Sequence, residues 1–251
     1  MDIGLTVGDS VDRLEATAGD FAFAELSIGE SAYNPSETDD TRLQNALADT
    51  DANPCVHLPF DQVVATQVPQ LNDAIVDYLG ELLSWAGTID AQKAVLHGTM
   101  RDPHDTDQRP TFARQLSAIA DAGEEAGVEV VVENVGHQAR GLPLSVLGEI
   151  AQENGIPVCF DVGHAYMEDG DEGIERFLKE YADLVSHLHV HDVRSRGDTH
   201  LPIGAGEIEY EQLVEYLPRF NGTVAVDVFT DDSPLLRYTA RRISDHLDSI
   251  A

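Results

Sequence analysis

Eight short apolar segments, each followed by a stretch with helical spacing, predict a single (β/α)8 TIM barrel spanning residues 1–251. Three observations carry this. The strand–helix alternation is strict and the connections are short, as a parallel sheet with crossover helices requires. The length of 251 residues and the 42% hydrophobic content suit one large domain with a sizeable core. No glycine-rich dinucleotide fingerprint follows the first strand, and GAG at Gly204–Gly206 is too slight to count, which removes the support for a doubly wound open sheet.

The elements follow in order. Met1–Gly8 (MDIGLTVG) is an apolar strand ending in glycine, and Ser10–Ala18 is a helix with Ser10 as its N-cap. Phe21–Ile28 (FAFAELSI) is the second strand, with Glu25 among apolar neighbours, and Thr38–Ala48 is the next helix. Pro54–Pro59 carries His57 near its end; Val68–Gly87 then spaces Leu71, Ile75, Tyr78, Leu82 and Trp85 along one helical face. Lys93–Gly98 ends in His97 and leads through a polar loop to the helix Phe112–Ala126. Val128–Val135 carries Glu133, before a helix at Leu144–Asn154. Ile156–His164 ends in Asp161 and His164, with a helix near Ile174–Tyr181. Val185–His191 is the seventh strand and Tyr210–Leu217 its helix. Thr223–Phe229 (TVAVDVF) is the eighth, carrying Asp227, and Leu235–Leu247 closes the chain.

The formal net charge is −31, and only Lys93 and Lys179 of the fifteen basic residues are lysines. Such a balance argues against nucleic acid as a partner. It also matches the surface of a protein from a salt-loving archaeon, because at molar salt the Debye length of about 3 Å screens the repulsion among carboxylates. We read the charge as a sign of habitat. No apolar run is long enough to span a bilayer and Met1 begins no signal peptide, so the cytoplasm is the expected location and a membrane is not an expected partner. Cys55 and Cys159 are isolated, each near a strand, and read as reduced core residues. The oligomeric state stays open.

The chemistry concentrates between Val185 and Tyr210. His187, His189 and His191 share one face of a strand, and an Asp-x-His, Asp198 and His200, follows in the loop. Imidazoles and carboxylates in this density suit a divalent metal. Across the whole chain, His57, His97, Glu133, Asp161, His164, His189, Asp198, His200 and Asp227 fall at or just beyond the C-terminal ends of strands three to eight, which converge on one mouth of such a barrel. Glu133, Asp161 and Asp227 end apolar strands, where a buried carboxylate is costly without a cation or donors around it. His187 sits early in its strand and reads as structural; His191 reads as supporting the ligands.

VVVEN at Val130–Asn134, FDVGH at Phe160–His164, HVHD at His189–Asp192, DTHLPIGAGEI at Asp198–Ile208 and VAVDVF at Val224–Phe229 resemble the xylose isomerase-like barrel superfamily. It holds sugar isomerases and epimerases together with the endonuclease IV type of abasic-site repair enzyme. The resemblance covers essentially the whole chain, and the spaced D-x-H-x-x-x-G-x-G-x-I motif is its most specific element. In the epimerase branch it implies one divalent ion on Glu133, Asp161, His189 and Asp227, with His164 hydrogen-bonding substrate oxygens. Asp227 stands where the family normally has Glu. In the endonuclease branch it implies three zinc ions on all nine positions.

Two activities follow as expectations. As a sugar or sugar-phosphate isomerase or epimerase, the protein would stabilise an enediolate on its metal while Glu133 and Asp227 move a proton between faces. As a phosphodiesterase on abasic-site DNA, it would use an ion cluster to generate hydroxide. A non-catalytic metal- or ligand-binding barrel is the third reading. Mn2+, Mg2+, Co2+ and Zn2+ all suit the mixed ligand set, and the histidines favour Zn2+. Arg101, Arg109, Arg140, Arg194 and Arg196 fall in loops after strands four, five and seven, predicting a positive rim for an anionic substrate. Few aromatic wedges and no basic tract accompany them, which favours the carbohydrate over DNA.

Overall fold

A computed structural model describes residues 1–36, 40–136, 140–218 and 220–248. Eight parallel strands close into a ring: β1 (Asp2–Gly8), β2 (Phe23–Ser27), β3 (Asn53–His57), β4 (Lys93–His97), β5 (Glu129–Glu133), β6 (Val158–Asp161), β7 (Val185–Val190) and β10 (Thr223–Val226), which pairs back onto β1. Between β7 and β10 lies an antiparallel hairpin of β8 (Asp192–Arg194) and β9 (Gly197–Leu201). The helices are α1 (Val11–Thr17), α2 (Thr41–Thr50), α3 (Pro69–Thr88), α4 (Arg109–Ala126), α5 (Leu144–Asn154), α6 (Val162–Tyr181), α7 (Glu211–Tyr216) and α8 (Ser233–Asp248). No described helix is long and apolar enough to cross a membrane.

The strand alternation sorts side chains into two cores. Val130, Val132, Leu188 and Val224 pack outward into the large cluster shared with the helices. Val95, Val131 and Cys159, and separately Phe23, Cys55 and Ala225, form groups apart from that cluster, as side chains inside a closed ring must. Both cysteines are therefore free and buried. Local signals place the helices. Ser10 Oγ accepts from Arg13 N at 3.2 Å to cap α1, Pro69 opens α3, and Gly127 ends α4 with φ of 76°.

Three predicted boundaries move. The sixth strand stops at Asp161, because its carboxylate accepts from His164 N at 2.6 Å and caps α6, so His164 stands in the first turn of a helix. That helix starts twelve residues before the expected Ile174, with a break at Gly170 (φ 69°, ψ −162°). Asp198 and His200 lie on β9 rather than in an open loop. The expected helix start at Thr38 lies outside the described residues, and α2 runs from Thr41.

Candidate functional site

At the C-terminal ends of the strands the ring opens into a cavity of about 660 Å3 lined by eight of the nine sequence-identified residues, all but Asp161, and three of the five overlapping donor groups among the described residues take in all nine. His57, His97 and Glu133, from neighbouring strands β3, β4 and β5, form the first. His57 Nε2 and His97 Nε2 lie 3.1 and 3.2 Å from the same oxygen, Glu133 Oε2. Asp161, His189 and Asp227 form the second, from β6, β7 and the end of β10. His164, His191, Asp198 and His200 form the third, which needs α6 and the hairpin as well as the ring. Glu133 joins the groups: its Oε1 lies 3.2 Å from His189 Nδ1 and 3.5 Å from His164 Nδ1.

The tautomers test whether a cation fits. His57 Nδ1 lies 2.7 Å from the Leu58 carbonyl, His97 Nδ1 3.1 Å from that of Phe60, His164 Nδ1 3.1 Å from that of Asn134, and His200 Nδ1 2.9 Å from that of Asp227. A carbonyl only accepts, so each Nδ1 carries a proton, and in the neutral ring Nε2 keeps a lone pair. Those lone pairs then confront carboxylate oxygens, as at His200 Nε2 and Asp198 Oδ1, 2.8 Å apart. Such a meeting is repulsive unless a proton or a metal lies between. Buried Asp161 Oδ2 and His191 Nδ1 have no hydrogen-bond partner. Within each group the donor atoms lie within 4.8 Å of one another. The residues fit divalent metal.

Electrostatics tie the groups together when no metal is bound. Burial alone would raise Glu133, but His189 and His97 hold it well below the usual carboxylate range. Burial would also lower His200, yet Asp227 and Asp198 carry it up to about 10. His164 is likewise raised well above an ordinary imidazole: Asp161, Asp198 and Glu133 outweigh its burial. At His97 burial outweighs Glu133 and the shift is downward.

The loop after the hairpin is gathered by Asp192, a residue outside the predicted ligand set. Its buried carboxylate accepts from the backbone N–H of Val193, Gly204, Gly206, Glu207 and Ile208, at 2.9 to 3.2 Å. This explains the glycine in the motif: a Cβ on Gly206 would sit 2.2 Å from Asp192 Oδ1. Gly163 has a similar reason, since a Cβ there would meet the His191 ring at 2.1 Å. His191 stacks on His200 with centroids 3.9 Å apart and reaches Asp161 Oδ1 at 3.2 Å. His187 lies deeper, between Thr223 Oγ1 (2.6 Å) and Glu25 Oε2 (3.1 Å).

The expected arginines do not line this cavity. Among the described residues lining the cavity, none of Arg101, Arg109, Arg140, Arg194 and Arg196 appears; Arg13 does, in the first turn of α1. Arg194 turns back to donate to the Ala205 carbonyl at 2.6 Å, Arg196 packs against the break at Gly170, and Arg101 lines a separate side cavity. Arg13 donates to the Val228 carbonyl at 3.0 Å and lies 3.4 Å from Asp231. The mouth instead carries Asp9, Asp198 and Asp231 and two exposed rings, Phe60 and Phe229. Phe229 is 72% exposed and stacks on His200 at 3.9 Å.

A family model described as xylose isomerase-like TIM barrel matches residues 13–249. The chain belongs to that family. MJ1614, an uncharacterised protein of Methanocaldococcus jannaschii, is 25% identical over 177 residues, 69% of either chain. A solved D-tagatose 3-epimerase-like protein superposes with a TM-score of 0.77 at 19% identity, over 100% of this chain and 98% of that one. The TTHB071 protein from Thermus thermophilus, soaked with ZnCl2, gives 0.69 at 23% identity, over 98% and 99%. These structural likenesses extend the barrel architecture of the family along the whole chain.

Proposed function

We propose that this protein is a metal-dependent isomerase or epimerase of an uncharged sugar, working in a salt-adapted cytoplasm. The observation that carries the reading is the placement of Glu133 and Asp227. They come from strands three steps apart around the ring of eight and line one cavity, with Asp161 and His189 on the two strands between them. A divalent cation on these four residues would supply polarisation of a substrate carbonyl. Two carboxylates on different sides of the neighbouring carbon can remove a proton from one face and return it to the other, which inverts that carbon. Asp227 is the more accessible of the two, and His200 Nδ1, 3.1 Å from its Oδ2, orients it. His164 lines the same cavity and can hold a substrate oxygen. Phe60 and Phe229 offer apolar walls for the C–H faces of a sugar. The D-tagatose 3-epimerase-like neighbour and the zinc-soaked one support the substrate class and the metal. The charge of −31 with two lysines supports the habitat.

One observation favours a second reading, a phosphodiesterase of the endonuclease IV type. The two oxygens of Glu133 face different donor groups, and the three groups together could hold three ions. The mouth weighs against it. A nucleic-acid backbone needs cations to receive it, and the described rim offers three aspartates and one arginine already engaged with Asp231 and Val228. The test is metal stoichiometry followed by two assays at high KCl. Epimerisation of a ketose, with solvent deuterium entering the inverted carbon and loss of activity in Asp227→Asn, is expected. Nicking of an abasic-site duplex that depends on His57 and His97, with three ions bound, would overturn it; metal bound without turnover in either assay would leave a binding barrel.

A further inference from the structure

Among the site histidines, His189 is turned the other way. His57, His97, His164 and His200 each give Nδ1–H to a backbone carbonyl and turn Nε2 to Glu133 or Asp198, with the His164 and His200 Nδ1 also 3.5 and 3.1 Å from Glu133 and Asp227. His189 presents Nδ1, 3.2 Å from Glu133 Oε1 and 3.8 Å from Asp161 Oδ2, and points Nε2 down into the barrel. There the strand carbonyls are committed to the parallel ladders on either side, β6 to β7 and β7 to β10, so no backbone acceptor is available to the ring.

Glu25 stands in that place. It is fully buried on β2, across the barrel from β7, and its Oε2 lies 3.2 Å from His189 Nε2 and 3.1 Å from His187 Nε2. Its Oε1 is 3.1 Å from the same His189 nitrogen but outside hydrogen-bond alignment. A carboxylate in this position has only acceptors to offer, so both imidazoles must direct N–H towards it. His187 continues the chain, its Nδ1 meeting Thr223 Oγ1 at 2.6 Å.

We propose that Glu25 is a positioning residue for the metal centre: it holds the proton of His189 on Nε2 and thereby leaves Nδ1 as the metal-binding atom. This rests on the metal-centre part of the function proposed above. The physical reason is the ambidentate imidazole, whose free nitrogen is chosen by the hydrogen bond at the other. His189 has no carbonyl to make that choice, so a carboxylate from the far side of the ring makes it. The same contact supplies a negative partner that makes the imidazole a stronger donor to a cation.

The test uses the whole chain loaded with Zn2+ and labelled with 15N at histidine. Long-range 1H–15N spectra are expected to show His189 with a slowly exchanging proton on Nε2 and none on Nδ1; a proton on Nδ1 overturns the proposal without any variant being made. Chelator competition then compares affinities. Glu25→Leu is expected to bind Zn2+ about 10- to 100-fold more weakly. His187→Leu removes the other partner of Glu25 and is expected to leave the affinity unchanged even where it lowers the unfolding midpoint. Wild-type affinity in Glu25→Leu, or an equal loss in both variants, would make Glu25 structural only. Failure of the wild-type chain to bind any divalent ion would sink the metal-centre reading and this inference together, whereas tight binding with the wrong tautomer would sink this one alone.

Discussion

The two sides of the mouth are built differently. On one side His57, His97 and Glu133 end three adjacent strands, and ladder pairs such as His97 with Glu133 hold them in register. On the other, His164 stands in a helical turn capped by Asp161, and Asp198 and His200 stand on a hairpin that meets the ring where His200 Nδ1 donates to the Asp227 carbonyl. The loop that follows β9 is gathered onto Asp192 by the N–H groups of Gly204, Gly206, Glu207 and Ile208, with that of Val193 beside them. The first side is scaffold; the second is a loop made rigid by one buried carboxylate. Strand ends are stiff because backbone hydrogen bonds fix them, whereas a loop needs a dedicated anchor.

The largest test strikes the residue both sides share. Glu133→Gln is expected to lower turnover by roughly 10^2- to 10^4-fold, the usual contribution of a positioned acid–base group, and to weaken binding of the cation it shares with Asp161, His189 and Asp227; wild-type affinity in that variant would break the role given to Glu133. Next comes the anchor. Asp192→Ala leaves five donors without a charged acceptor and is expected to cost about 2–4 kcal/mol in denaturant unfolding, with hydrogen exchange rising in residues 192–208 while β3 to β5 stay protected. Equal loosening of both sides would show that Asp192 does not anchor one side separately from the other.

The pH response should separate the sides more gently. His200 rises to about 10 in the metal-free fold because Asp227 and Asp198 outweigh its burial. A raised pKa contributes stability that is complete below the unfolded value, near 6.5, and is lost as pH climbs towards the folded one. The metal-free chain is therefore expected to lose stability between those two values, while metal binding, which requires the unprotonated ring, strengthens over the same range. His200→Gln should flatten the unfolding profile there, and His97→Gln should not, since burial already lowers His97. The smallest effect is at the rings over the mouth. Phe229→Ala, which removes a ring stacked 3.9 Å from that of His200, is expected to cost about 1 kcal/mol, and Phe60→Ala, tilted at 5.3 Å from His57, less. Both should raise KM more than they lower kcat.

How much of this was legible beforehand divides along the same line. The strand-side residues could be found because a charged or imidazole side chain ending an apolar, period-two segment has a definite address in a barrel. Asp161 and His189 were found the same way. Glu25 carried the same signal, a carboxylate inside FAELS, but it sits mid-strand, so the mouth gave no reason to select it. Asp192 ends the HVHD motif, and only the tertiary structure brings five backbone N–H groups onto its carboxylate. The arginines of the loops behave differently. Loop membership puts them near the mouth in sequence, while Arg194 is drawn to Ala205 in the loop after the hairpin and Arg196 to Gly170 in α6. Arg13 went unnoticed in a short helix and reaches the cavity wall.

The amino-acid sequence by itself determined the ring, the order of its strands and the end at which ligand-type residues collect, because alternation along a strand and strand–helix order along the chain are local properties. Only the tertiary structure decided which imidazole nitrogen meets which oxygen, that Glu133 spans two donor groups, and that Glu25 lies beneath His189. Those facts depend on the closure of the ring and the fold of one hairpin, which bring together side chains as far apart as residues 25 and 189, and no local pattern encodes a distance of that kind.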